Sequence, residues 1–260
     1  MKSVFDNQIP DVNTYGDGNQ VKITTKYMID DKKINTDSIV EHRLYEGLIP
    51  IIGANVDYPT FDTKYKMSSQ KVGPTVADDI IWGAILAVFF ALIGIFLYIF
   101  IRFRSWIYGL GGVLSLFHDV IFVLGWYSIL WGIMPFSMEI DQAFIAAILT
   151  VVGYSINDTV IVYDRIREYK TLYPKRDNLN LFNGAINSTF GRTINTVMTV
   201  MITLVAIFIF GGEVIRGFIF ALLIGVGVGT YSSIFIASAV VFDTMEWKAK
   251  KDAKNLAKKA

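Results

Sequence analysis

The order of apolar and polar positions divides the chain into a mixed N-terminal part and a long part typical of a membrane protein. Residues 80–101 carry no charged side chain over 22 positions, and about 20 apolar residues are enough for a helix to cross the hydrocarbon core of a bilayer. Four more apolar stretches follow, so we predict a polytopic α-helical membrane domain over residues 79–245. An amphipathic segment at 179–190 predicts an interfacial helix that leads into the fourth span. The five predicted spans are residues 80–101, 106–131, 142–163, 193–212 and 217–242.

Residues 1–78 follow a different pattern, which is typical of a small α+β domain. Apolar and polar side chains alternate from Gln20 to Met28, and this alternation predicts a half-buried strand. The segment Ser38–Glu41 matches a capping box and predicts a helix that ends near Leu48. Residues 65–72 are a candidate second strand.

Composition supports a membrane protein and excludes several chemistries. Apolar residues make up 53% of the 260 residues and charged residues 18%, compared with about 25% charged residues in ordinary soluble domains. Mean hydropathy is +0.46. The net charge of +1 gives no support for a nucleic-acid partner. With no cysteine and two histidines, a thiol nucleophile is excluded, and we expect neither a metal nor a cofactor.

Basic side chains follow alternate spans. Arg102 and Arg104 follow the first span, five basic residues lie within 165–176 after the third, and the tail at 246–260 is rich in lysine. The positive-inside rule places these segments in the cytoplasm and residues 1–78 outside it. Because a polar domain must then cross the membrane, we expect the natural polypeptide to have a further span upstream. We interpret the lysine tail as a solvated topology anchor, with lipid or ribosome contact as the alternative.

Asp158 is the strongest candidate for function within a span. A charged residue at the centre of a span costs roughly 2.5–3.5 kcal/mol on insertion scales, so such residues usually serve a purpose. At helical spacing, Tyr154 shares a face with Asp158, and Asn157 and Thr159 flank that face. Proton or ion handling is the favoured interpretation. The alternative is a structural polar contact between helices.

Two further charged positions have open interpretations. Arg192 begins a polar stripe on the fourth span, and it can either pair with Asp158 or extend its guanidinium to the membrane interface, as its position alone favours. Asp119 lies mid-span beside His118. It is a candidate member of a proton relay and equally a hydrogen-bonding group between packed helices.

Small residues on the fifth span predict close helix packing. Gly225 and Gly229 have the GxxxG spacing, and Ser232 extends the same face. In membranes such faces let two helix backbones approach closely.

Several of these segments together resemble SecF, the second half of the SecD/SecF complex of bacterial protein export. The resemblance covers about residues 70–245, and the Lys22–Tyr27 segment is similar to forms in which SecD and SecF are fused in one chain. The matching segments are Val72–Asp79, His118–Val120, Gly153–Thr159, Asp164–Glu168, Arg192–Thr193 and Gly225–Ala237.

The resemblance implies a half of an RND-type transporter fold in the bacterial inner membrane, with SecD supplying the other half. It implies that a proton or sodium gradient drives the complex, which helps preproteins leave the SecYEG channel. The residues implied in ion conduction are Asp158 and Arg192. It also implies that the family's first span precedes this chain, and that the small-residue face at Gly225 awaits the SecD half.

Three other functions are weighed against this one. Half of an RND-type small-molecule or lipid exporter is the main alternative, although about 75 residues outside the membrane leave little room for a drug pocket. An intramembrane aspartyl protease would need Asp119 and Asp158 to meet at one depth. An inert scaffold would not need charges within its spans. We therefore expect a transport subunit and not an enzyme.

Overall fold

A computed structural model describes residues 4–6, 8–15, 20–25, 27–28, 36–53, 55–69, 74–136 and 138–257. The chain divides into two compact units, residues 1–83 and 84–260. Each unit has its own internal contacts, so the two are described separately below.

The N-terminal unit combines one strand pair with short helices. Strand β1 (Asp11–Tyr15) pairs antiparallel with β2 (Gln20–Thr24). Helix α1 spans Thr36–Ile52, and α2 (Tyr58–Thr60) continues into a π-helical turn at Phe61–Tyr65. The aromatic side chains of these helices form one cluster, made of His42, Tyr45, Tyr58 and Phe61.

Several details of the predicted α+β domain are wrong. The strand predicted to reach Met28 ends at Thr24, and its Val21 is 57% exposed, because a two-stranded ribbon presents no buried face on which alternating side chains can pack. Helix α1 begins before the predicted capping box and continues to Ile52. The second candidate strand is not formed where it is described, since Tyr65 lies in the π-helical turn and residues 66–69 are irregular. Residues 70–72 of that candidate lie outside the described residues.

The second part of the chain is helical, and it confirms the prediction of five spans. Within the residues that the structure describes, five helical segments are long and apolar enough to cross a membrane. The helices are α3 (Pro74–Phe103), α4 (Trp106–Leu130), α5 (Gln142–Leu172), α6 (Asn178–Phe210), α7 (Glu213–Ser232) and α8 (Ser238–Ala257), with a π-helical segment at Ser233–Ala237 between the last two.

The helices extend further than the apolar stretches predict. Helix α5 continues to Leu172, well past the predicted end of its span at 163. The amphipathic segment at 179–190 is not a separate interfacial helix but the first part of α6. Backbone hydrogen bonding is cooperative, so a helix continues through polar residues until a capping residue or a turn stops it. Asp177 supplies such a cap, because its side chain accepts a hydrogen bond of 3.0 Å from the Asn180 N–H.

Helices α4, α5 and α7 form the core of the membrane unit. Val151 and Val152 of α5, Val226 of α7 and Leu116 of α4 are buried in this core. By contrast, 6% of the most apolar stretch of helix α3 is buried. The burial of each candidate polar residue therefore depends on its helix and on the face of that helix on which it lies.

Candidate functional site

Glycines bring α5 and α7 into close contact. A Cβ atom added to Gly225 would overlap the Val151 side chain, and one added to Gly229 would lie 2.9 Å from Ser155 Cβ. Ser232, on the same face, is fully buried. The predicted packing face therefore exists. The expectation that this face awaits the SecD half is wrong, because α5 of the same chain already packs against it.

Asp158 is buried at this contact with little hydrogen bonding. Its side chain is 1% exposed, and Thr230 Oγ1 on α7 lies 3.5 Å from its Oδ2. The same hydroxyl lies 3.0 Å from the Val226 carbonyl oxygen, so its single proton serves one acceptor at a time. A buried carboxylate ordinarily has several good partners. Asp158 therefore has unused capacity to accept a proton or to bind a cation.

The residues predicted to surround Asp158 have different positions. Tyr154 is near enough to interact electrostatically with the carboxylate, and its buried hydroxyl has no hydrogen-bond partner among the described residues. Thr159 is buried, and its hydroxyl lies 2.8 Å from Ser233 Oγ. Asn157 is exposed on the opposite side of α5. The predicted polar face of α5 is thus divided between the core and the surface.

Arg192 lies on the exposed side of α6. Its charge acts on Asp158, but no ion pair or hydrogen bond joins the two among the residues that the structure describes. The predicted direct pairing is therefore absent in this state of the chain. The rest of the polar stripe is also exposed: Asn195, Thr196, Thr199 and Thr203.

The opposite face of α6 packs into the bundle. Thr193, Val197 and Leu204 are buried, and the Thr193 hydroxyl has no hydrogen-bond partner among the described residues. The polar stripe of α6 is thus turned away from the core of its own chain. The threonine hydroxyls of the stripe donate to carbonyl oxygens of their own helix, so the charged guanidinium of Arg192 is the group for which apolar lipid is the poorest environment.

Asp119, unlike Asp158, has several close hydrogen-bond partners. It is fully buried, and it accepts a hydrogen bond of 2.7 Å from Ser155 Oγ on α5. His118 Nδ1 lies 3.2 Å from its other oxygen, and Ser232 on α7 also faces it. Three helices therefore contribute partners to this one carboxylate.

A network of hydroxyl groups connects the two carboxylates to the α5–α7 contact. Ser233, in the π-helical segment, donates a hydrogen bond of 3.0 Å to the carbonyl oxygen of Ser155. Sequence reasoning missed Ser155, Thr230 and Ser233 as partners. The spacing of Ser155 could have indicated its role, because it lies three residues before Asp158 and so shares the same side of the helix.

The described residues do not supply a multidentate metal site. No group of three or more His, Asp or Glu side chains is placed to hold a metal ion in the ranges that the structure describes. Asp119 and Asp158 are each single carboxylates, the first beside two serine hydroxyls and a histidine and the second beside one threonine hydroxyl. Such an arrangement suits a proton or a weakly held monovalent cation.

Comparison with known families gives a match over most of the chain. The family described as protein export membrane protein SecD/SecF, C-terminal, matches residues 55–247. The matched region includes all five candidate spans up to residue 247 and every site residue described above.

Curated relatives are similar over the same region. The protein translocase subunit SecF of Rhodothermus marinus is 54% identical over 172 residues, which cover 66% of this chain and 56% of the relative. The protein translocase subunit SecF of Haemophilus influenzae is 43% identical over 176 residues, covering 68% of this chain and 52% of the relative. The chain therefore spans about half the length of the curated relatives that it matches.

Solved structures show the same similarity in three dimensions. A crystal structure of SecDF in a super-membrane-facing form has a TM-score of 0.60 and 33% identity, covering 84% of this chain and 27% of that chain. The crystal structure of SecDF from Thermus thermophilus, described as a translocon-associated membrane protein, also has a TM-score of 0.60. It is 40% identical, and the match covers 68% of this chain and 23% of that one.

Proposed function

We propose that this chain, which belongs to the SecD/SecF family of protein-export membrane proteins, is the SecF-type half of an ion-driven export complex. In this proposal a proton or sodium gradient drives the complex, and the work assists preproteins through the SecYEG channel. The chain moves ions and protein and carries out no covalent chemistry. The names of its relatives refer to protein translocation, so they favour this function over a small-molecule or lipid exporter.

Asp158 is the observation that carries the proposal. A carboxylate that is 1% exposed within a membrane helix, with one hydroxyl group at 3.5 Å, is costly to keep in a purely structural role. Binding and release of a cation gives this carboxylate a reason to be there. Asp158 is thus proposed as the group that takes up the coupling ion.

Arg192 is proposed to set the charge balance of that step. Its guanidinium acts on Asp158 from the exposed stripe of α6 without forming an ion pair. Movement of α6, or of a partner surface against it, would therefore change the electrostatic free energy of the ionised carboxylate. This gives the complex a way to link ion binding to a change in shape.

A SecD-type protein is the proposed partner of the α6 stripe, whether separate or fused upstream. Both SecDF structures contain much more chain than this match occupies, and the charged Arg192 within the exposed stripe is costly to leave against lipid. Lipid surrounds the remaining apolar surface of this multi-pass membrane protein. We further propose that the N-terminal unit is extracytoplasmic and that the basic C-terminal end is cytoplasmic in the bacterial inner membrane.

Replacing Asp158 by Asn tests the proposed function. Asn keeps the shape and much of the hydrogen bonding of Asp but exchanges no proton and carries no charge. In a strain that expresses the full-length protein with its SecD partner, Asp158→Asn should abolish the part of export that depends on the ion gradient. The part that depends on ATP alone should remain.

Arg192 provides the companion variants. Arg192→Met should reduce gradient-dependent export in the same way, and Arg192→Lys should retain part of it, because a point charge still acts without the guanidinium fork. Secretion, membrane abundance and ion flux are measured in the same strains. Normal gradient-dependent export with Asn at position 158 would remove this residue from the mechanism, and parallel loss of protein and export would indicate a structural role.

A further inference from the structure

His118 is the one titratable side chain that touches either buried carboxylate within the described residues. Its Nδ1 lies 3.2 Å from Asp119 Oδ1, and the ring is about one-third exposed, whereas Asp119 is fully buried. The ring therefore connects a carboxylate in the core of the bundle to the outer surface of α4.

An open groove lies where the exposed side of this ring meets α7. His118 and Phe122 of α4 line it together with Val228 and Tyr231 of α7, and its volume is about 530 Å³. The Phe122 ring stands 5.8 Å from the His118 ring and helps fix its orientation. The imidazole is thus held with one nitrogen against Asp119 and one edge toward the groove.

We propose, resting on the ion-driven function inferred above, that His118 and Asp119 form a second proton-binding site that exchanges protons with the groove between α4 and α7. The groups that face Asp119 are His118 from its own helix, Ser155 from α5 and Ser232 from α7. Asp158 is three residues from Ser155 on α5. Tyr231 is the other titratable side chain that lines the groove.

The proton transfer balances without any further reactant. When protonated Asp119 gives its proton to His118, the Oδ1–H bond breaks and an Nδ1–H bond forms, while the proton on Nε2 leaves for the groove. Asp119 becomes a carboxylate and the ring remains neutral. The reverse sequence returns a proton from the groove to Asp119, so the site can be loaded and emptied from one side.

Ser155 provides the connection to the rest of the bundle. Its hydroxyl donates to Asp119 Oδ2 at 2.7 Å and has a second acceptor, the Gly229 carbonyl oxygen, at 3.4 Å. Protonation of Asp119 weakens it as an acceptor, so the hydroxyl then favours Gly229. The state of Asp119 is thereby transmitted to α7, at the contact where Asp158 also lies.

Infrared spectroscopy tests proton binding directly, and it does so without relying on export. The purified full-length protein with its SecD partner is titrated in liposomes, and the change in the carboxylic-acid C=O band is compared between variants. Asp119→Asn should remove one component of that change, and Asp158→Asn a different one. His118→Gln should shift the titration midpoint of the component assigned to Asp119. An unchanged band in Asp119→Asn would overturn the proposal even if Asp158 titrates as expected.

Ion flux through the same liposomes separates a proton-carrying role from a packing role. Because Ser155 transmits the state of Asp119 to the contact that holds Asp158, His118→Gln and Asp119→Asn should each lower proton flux through the complex on the order of 100-fold, the lower end for a positioned proton-transfer group. Asp119→Glu should retain more flux than Asp119→Asn, because it keeps the proton, whereas a hydrogen-bonding role predicts the reverse order. Phe117→Leu is the control, since Phe117 is 53% exposed beside His118 and carries no proton. Full flux in His118→Gln, whose half-buried side chain is readily replaced, would also overturn the proposal.

Discussion

Helices α5 and α6 both carry polar side chains at helical spacing within membrane spans, but their polar residues have opposite surroundings. On α5, Ser155, Asp158 and Thr159 are buried against α7. On α6, Arg192 and the threonines that follow it are exposed. The α5 side is covered within this chain, although Asp158 keeps unused acceptor capacity, whereas no described residue covers the α6 side.

The reason for the difference lies in the neighbouring helix and not in the polar residues themselves. Gly225 and Gly229 let α7 approach α5 until hydroxyl groups meet across the contact. On α6 the small buried positions, such as Thr193, face the bundle, and the long polar side chain of Arg192 faces away. A polar stripe in a membrane helix therefore indicates that a partner exists, while the glycine pattern of the neighbouring helix indicates whether the partner is in the same chain.

The largest effect is expected from adding a side chain at the glycine contact between α5 and α7. Gly225→Ala should destabilise the bundle by about 1–3 kcal/mol, the usual cost of overpacking a core, because the new methyl group would overlap Val151. Gly227→Ala is the matched control, since no atom lies within 4 Å of its added Cβ. Thermal unfolding of both variants in the same detergent measures the difference. Equal melting temperatures would show that α5 and α7 are not in the described contact.

A smaller effect is expected from the hydroxyl pair that joins the two helices. Thr159 and Ser233 lie 2.8 Å apart, and hydrogen bonds between membrane helices are worth about 0.6 kcal/mol on average. A double-mutant cycle with Thr159→Val and Ser233→Ala should give a coupling free energy of that order. The same cycle with Thr199→Val in place of Thr159→Val should give no coupling, because Thr199 is exposed on α6. Additive Thr159 and Ser233 variants would contradict the hydrogen bond.

Arg192 should matter little for the stability of the isolated chain. Its side chain is exposed and forms no ion pair among the described residues, and substitutions at such positions usually change stability by less than about 0.5 kcal/mol. Arg192→Met should therefore unfold at the wild-type temperature when the chain is alone. A marked loss of stability would mean that α6 uses this residue within its own chain.

The smallest effect is expected at the start of α6, where a cap within this chain stabilises the helix. The backbone and side chain of Asn180 donate hydrogen bonds to Asp177, and they hold the pKa of that carboxyl below its ordinary value. A lowered folded pKa means that the cap stabilises the helix above about pH 3.9, the ordinary Asp pKa, and that this contribution is lost as the pH falls through the folded pKa. A spin label at Leu179 should become more mobile in that acid range. With Asp177→Asn, which caps without titrating, the mobility should not follow pH there.

Much of the membrane unit is predictable from sequence because the features that define it depend on the order of residues along each helix. Apolar length predicts the five spans, and the GxxxG spacing at Gly225 and Gly229 predicts close packing. The cost of burying charge singles out Asp119 and Asp158. In the N-terminal unit the same reasoning fails at residues 65–69, because a short polar segment becomes a strand only if a sheet is present for it to join.

The partner of each polar side chain could not be predicted, because it depends on which helices meet. Nothing in the spacing of Arg192 says that its side chain faces away from the bundle. Likewise, the pairing of Thr159 with Ser233 joins residues 74 positions apart. Helix rotation and neighbour choice are properties of the whole bundle, and they become visible only in three dimensions.

The central claim is that the polar side chains of α5 are covered within this chain, whereas those of α6 are covered by a SecD-type partner. The chain has no cysteine, so a single spin label can be placed at Thr199, in the middle of the exposed α6 stripe. A second label at Val205, which is 42% exposed and apolar, serves as the control, because its position six residues along the helix places it well around from Thr199.

Electron paramagnetic resonance spectra of both labels are recorded with the chain alone and with its SecD-type partner in the same lipid. The label at Thr199 should be mobile in the chain alone and strongly immobilised in the complex, while the label at Val205 should change little. Equal mobility at Thr199 in both samples, once binding of the partner has been verified, would contradict the claim that a SecD-type partner covers this stripe.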